Sequence, residues 1–157
     1  MKKKYYLPRR IYLPILAFAM EYIFSKGPIP EWSVFPIEYG LLLWFVISNL
    51  KGRGSWPYWV GAGTLCNFIV IAFNGFKMPV WSAFLKETGK IAVLESIMRG
   101  DFFGYIPVTA NTKLPYLADV IGVSFQGNLI GFASVGDIFL LIGVAILLSR
   151  ILKAAMR

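Results

Sequence analysis

The chain contains no histidine and a single cysteine, Cys66, among its 157 residues. The first absence removes imidazole metal sites, axial-histidine haem ligation and serine or cysteine catalysis that relies on a histidine base. The second removes any intrachain disulfide, and Cys66, set in an apolar run, reads as a small hydrophobe. Acidic residues are scarce, eight against sixteen lysines and arginines. Low-complexity tracts and internal repeats are also missing, and no pair of broken helices is visible. A small transporter or channel therefore has nothing in the sequence to recommend it.

What is present is apolar. Hydrophobic residues make up 57% of the chain and aromatics 17%, whereas a soluble domain is roughly 45–50% apolar. The length allows one domain, 1–157. Much of the basic charge falls in three short clusters free of acids: Lys2, Lys3, Lys4, Arg9 and Arg10; Lys51 and Arg53; Arg150, Lys153 and Arg157. Apolar stretches of membrane-crossing length run between them. This is the positive-inside pattern of a four-span membrane protein, with both termini cytoplasmic and every acid in the outer half of the membrane or beyond. The net charge of +8 caps hydrophobic runs, so the partner it implies is the anionic lipid surface and not nucleic acid.

The expected fold class is an all-α, polytopic membrane protein with spans at about 10–25, 32–50, 56–76 and 135–152. Each is near the ~20 residues a helix needs to cross the hydrocarbon. The first resembles a signal sequence, but Glu21 and bulky residues follow it where a small-residue cleavage site would stand, so it reads as a retained span. Residues 77–134 form an outer cap that is not polar. Val80, Trp81, Phe84, Leu85, Ile91, Leu94, Ile97 and Met98 recur at helical spacing, with Lys86, Glu87, Lys90, Glu95 and Arg99 between them. That pattern predicts interfacial amphipathic helices, separated at Gly89 and ended at Gly100 and Asp101. The remainder of the cap reads as irregular chain folded over the span mouths. Tyr5, Tyr6, Trp32, Trp44, Trp56, Tyr58, Trp59 and Trp81 fit an aromatic belt.

Four carboxylates fall near one depth: Glu21 late in the first span, Glu38 early in the second, Asp119 in the cap and Asp137 opening the fourth. Asn67 and Asn74, seven apart in the third span, face one side of a helix. Ionisable groups at membrane depth are costly and are candidates for function. Glu21, Glu38, Asn67 and Asn74 make a candidate polar site at the outer mouth. Simpler roles compete. Carboxylates near a span end can reach interfacial water, and Asp137, three residues after Ser134, suits a helix start. Asp119 and Asp137 carry the sharper reading, because two carboxylates sharing a site can split their pKa values and activate water without metal or histidine. No cofactor or metal is called for.

The stretches NGFKMPV (Asn74–Val80), PYLADVIGV (Pro115–Val123) and SVGDIFLLIGV (Ser134–Val144), with Asn67 before them, resemble a family of small uncharacterised bacterial four-span membrane proteins. LADVIGV, the eighteen-residue step from Asp119 to Asp137 and the apolar run after it also resemble the end of lipoprotein signal peptidase, signal peptidase II. That second resemblance implies four spans, both termini inside and a catalytic role for Asp119 and Asp137. The run after Asn67, FIVIAFNG, lacks the arginine of that family's motif. Two function classes follow. The first is a non-catalytic accessory or structural subunit of the bacterial cytoplasmic membrane, contacting lipid and other membrane proteins. The alternative is a membrane aspartyl peptidase with an Asp119/Asp137 dyad.

Overall fold

A computed structural model describes residues 7–87, 89–126 and 128–156. Lys2, Lys3, Lys4, Tyr5, Tyr6 and Arg157 lie outside the described residues. The chain is mostly helical. Helices α1 (Tyr12–Phe24), α2 (Glu31–Asn49) and α3 (Trp56–Phe73) come first. A mixed segment follows: β1 (Met78–Val80), α4 (Ala83–Glu87), α5 (Ile91–Arg99), β2 (Tyr105–Pro107), a 3-10 turn at Pro115–Leu117, β3 (Ile121–Phe125) and β4 (Asn128–Ala133). Helix α6 (Val135–Ala155) closes the chain.

Each of the four apolar runs coincides with one of the long helices. Two of them, α3 and α6, are long and apolar enough to cross a membrane. Local chemistry sets their ends. Pro57 stands in the first turn of α3, where the missing N–H costs nothing and the fixed φ already suits a helix. Helix α3 stops at Phe73, three residues before the expected end, and Asn74 caps it. Helix α6 begins on a reciprocal capping box between Ser134 and Asp137.

Helix α3 is the hub, packing on α2, α6, β1 and the 3-10 turn. It meets α6 backbone to backbone. A Cβ on Gly63 would strike the Gly136 carbonyl and Leu140, and one on Gly136 would strike the Asn67 side chain. Small residues permit this approach, the usual device of helix pairing in membranes. Leu13, Phe45, Val46, Trp56 and Leu147 form one core cluster. Phe35, Val70, Ile71 and Met78 form a second under the cap. Outward faces are apolar too: Ile15, Phe18, Ile47, Leu141 and Leu148 are all exposed.

The all-α expectation is corrected in the cap. Strands β1 and β2 pair in parallel, and β3 and β4 form an antiparallel hairpin. Backbone N–H and C=O groups near apolar surroundings must find partners, and short ladders supply them where the sequence suggested irregular chain. Helices α4 and α5 stand within the segment where the amphipathic pattern placed helix, but Val80, the first residue of that pattern, belongs to β1 and Trp81 precedes α4. Gly100, at φ 78°, ends α5 in the left-handed conformation. Lys77 pairs with Glu31 at 3.2 Å, tying the cap to the start of α2.

The molecule is electrically polar. Arg53 Nη1 donates to the Leu7 carbonyl at 2.9 Å, and Arg150 lies against Gly54. These contacts gather the described members of the three basic clusters at one end of the bundle. The carboxylates of α1, α2 and α6 lie toward the other.

Candidate functional site

A cavity of about 290 Å³ opens between the helices and the cap. Glu21 from α1, Glu38 from α2, Asn67 from α3, Asp119 from the cap and Asp137 from α6 all line it. Five of the six residues singled out in the sequence therefore meet. Asn74 does not. Its amide brackets the cap backbone, accepting from Lys113 N at 2.9 Å and donating to the Lys113 carbonyl at 2.8 Å and the Val70 carbonyl at 2.7 Å. It is a clamp between α3 and the cap. The sequence suggested that Asn67 and Asn74 share a face, but Asn74 is the C-cap of α3, and there its side chain turns to the loop.

Asp137 is held from several sides. Asn67 Nδ2 donates to its Oδ1 at 2.8 Å, and the Ser134 N–H donates to its Oδ2 at 2.8 Å. In return the Asp137 N–H donates to Ser134 Oγ at 3.0 Å. Ser134 Oγ lies 2.9 Å from both Asp137 Oδ2 and Asn67 Oδ1, and its single proton serves one of them at a time. The helix-start role is thus real. It still leaves capacity, because a carboxylate oxygen has two acceptor positions and Oδ1 uses one of them for Asn67.

Asp119 is placed by backbone. Its N–H donates to the Pro79 carbonyl at 2.9 Å and its carbonyl accepts from Trp81 N at 3.0 Å. It so forms a parallel bridge beside Val80, and β1 is paired on both edges. The side chain is 4% exposed, and its Oδ1 is buried with no hydrogen-bond partner. Burial, reinforced by the charge of Asp137, pushes the Asp119 carboxyl up to about 7. Tyr105 faces the same space. Burial foremost, then the Asp119 charge, pushes its phenol up to about 12, so it remains a hydroxyl.

Glu38 is also 4% exposed, with Oε2 buried and unpartnered. A buried polar atom without a partner is costly, so both Glu38 and Asp119 point to a site shaped for something beyond packing. Tyr39, Thr64 and Tyr105 complete the polar lining. Nothing in their sequence surroundings marked them, since single tyrosines and threonines in apolar runs are ordinary. Among the described residues no three carboxylate or thiol side chains lie close enough to form a metal-ligand group. The arrangement is suited to acid–base chemistry on a polar guest.

The model of DUF5317, a family of unknown function, matches residues 1–149, and the chain belongs to that family. No curated protein and no solved structure matches it.

Proposed function

We propose that this DUF5317 member is a four-span protein of the bacterial cytoplasmic membrane, and that its cavity is a hydrolytic site worked by Asp119 and Asp137. Helices α1, α2, α3 and α6 are the spans, with the basic end and both termini in the cytoplasm. The site then lies at the outer side, and the substrate class is a peptide or similar carbonyl compound reaching it from the outer leaflet. The observation that carries the reading is that Asp119, with a buried unpartnered oxygen, lines the same cavity as Asp137. The resemblance of the two aspartate segments to signal peptidase II supports it.

In the proposed chemistry Asp119 carries a proton and Asp137 is the carboxylate. The free acceptor position on Asp137 takes a proton from water as the water oxygen attacks the carbonyl carbon. The Asp119 proton passes to the carbonyl oxygen, giving a neutral tetrahedral diol. On collapse the C–N bond breaks, Asp137 returns its proton to the leaving nitrogen, and Asp119 regains one from the diol hydroxyl. Both groups end as they began. This division needs one acid and one base, and the burial of Asp119 favours its protonated form.

The test compares membrane proteins in cells lacking the chain, complemented by wild type, Asp119→Asn or Asp137→Asn. Intact precursors should accumulate in the null strain and with either variant, at normal levels of the variant protein. Full restoration by both variants would sink the catalytic reading. It would return the chain to the accessory-subunit reading, which the capping role of Asp137 and the apolar outer faces of α1, α2 and α6 favour.

A further inference from the structure

At the basic end of the bundle, away from the carboxylates, a second recess of about 410 Å³ is lined by Arg9, Arg10, Ile47, Ser48, Leu50 and Lys51. No acid lines it. Among the described residues none of its three cations takes part in an ion pair. Cations placed only to sit in water would need no fixed backbone, yet here the backbone is held firmly. Asn49 is fully buried. Its Oδ1 accepts from Arg9 N at 2.8 Å while its Nδ2 donates to the Arg9 carbonyl at 2.9 Å and the Phe45 carbonyl at 2.8 Å. A buried amide is thus used to lock the arginine segment onto the last turn of α2.

Arg10 is fixed in turn. Its φ of 55° is left-handed, an uncommon conformation for a residue with a Cβ. Its Nη1 donates to Ser48 Oγ at 2.8 Å, and its guanidinium lies 4.9 Å from the centre of the Trp44 ring. One edge of that guanidinium is therefore used in positioning, and donors remain for a guest. Planar guanidinium groups match phosphate oxygens two at a time, which a lysine ammonium cannot do. Ile47 and Leu50 give the recess an apolar wall.

We infer that this recess binds the phosphate of an anionic glycerophospholipid in the inner leaflet, with Arg9, Arg10 and Lys51 on the phosphate and Ile47 and Leu50 beside the first acyl carbons. The shared chemistry is a phosphate ester, and a soluble phosphate would satisfy the cations equally. The apolar wall and the place at the ends of α1 and α2 favour the lipid. The inference rests on the membrane reading of α1 and α2 and is independent of the Asp119/Asp137 chemistry.

The test uses the full chain in phosphatidylcholine nanodiscs holding a minor fraction of phosphatidylglycerol, with bound lipid counted by mass spectrometry after mild delipidation. Wild type should retain phosphatidylglycerol well above its share. The double variant Arg9→Lys, Arg10→Lys keeps the net charge and should lose most of that enrichment. Lys86→Ala, in the cap, should not change it. Equal enrichment in wild type and the lysine variant would overturn the inference in favour of diffuse charge attraction. Millimolar inorganic phosphate should leave the lipid in place. Complete displacement by it would overturn the lipid assignment and leave a soluble-phosphate site. Resistance to carbonate extraction, measured on the same membranes, separates the outcomes. A chain that resists extraction but shows no lipid preference refutes this inference while the span reading stands.

Discussion

Asn67 and Asp137 are joined by a 2.8 Å hydrogen bond across a separation of seventy residues, from Asn67 Nδ2 to Asp137 Oδ1. The bond links the middle of α3 to the first turn of α6 at the wall of the cavity. It makes Asp137 at once a helix cap, an interhelical tie and a cavity group.

The first prediction separates those roles. Asp137→Ala removes the cap and the tie together and should destabilise the fold by about 1–3 kcal/mol. Asp137→Asn keeps an oxygen for the Ser134 N–H and should cost about 1 kcal/mol or less, since Asn caps nearly as well as Asp. Thermal unfolding in detergent checks this. If Asn were as damaging as Ala to stability, the carboxylate charge itself would be structural and the capping account wrong.

The close crossing of α3 and α6 gives the second. Gly136→Ala drives a methyl into the Asn67 side chain and should cost about 1–3 kcal/mol as overpacking. It should also displace Asn67 from Asp137. Gly40→Ala, in mid α2 with open space around it, should be neutral or stabilising by up to about 1 kcal/mol. Comparable melting temperatures for the two variants would contradict the packing described.

Stability should also depend on pH through Asp119. Its carboxyl is raised from 3.8 to about 7, so between those values the folded state holds a proton that the unfolded chain has released. Stability from this group is fully present below about pH 4. It falls as pH rises toward 7 and is flat above. Asp119→Asn should remove that slope, and unfolding midpoints at pH 4, 5.5 and 7.5 measure it. An unchanged slope in the variant would show that Asp119 does not titrate in this window.

Topology is tested with fusions. A reporter after Arg157 should be active in the cytoplasm, and one inserted near Lys113 only outside. In a Cys66→Ala background, Lys90→Cys should react with water-soluble thiol reagents added from outside, because Lys90 is exposed between α4 and α5. A cytoplasmic signal from the Lys113 fusion would reverse the proposed orientation.

Helix positions were legible because apolar length and terminal basic charge are one-dimensional properties. The start of α6 was legible for the same reason, since Ser134 and Asp137 form their capping box within three residues. The strands were not. β1 pairs with β2 across a gap that holds α4 and α5, and three-residue strands carry too few positions to show an alternating pattern. The hairpin of β3 and β4 was also hidden, because its residues are largely apolar on both faces and its register shifts after Val123.

Which segments are apolar, which ends are basic and which residues can ionise all follow from residue type and order. That Glu21, Glu38, Asn67, Asp119 and Asp137 face one cavity while Asn74 turns away follows instead from how elements distant in the chain pack. The four helices and the cap segment that deliver these groups are brought together by Gly63 and Gly136, by the bridge of Asp119 to β1 and by the Asn74 clamp. Each of those is a contact between residues far apart in the chain, and no local pattern encodes the angle at which such elements meet.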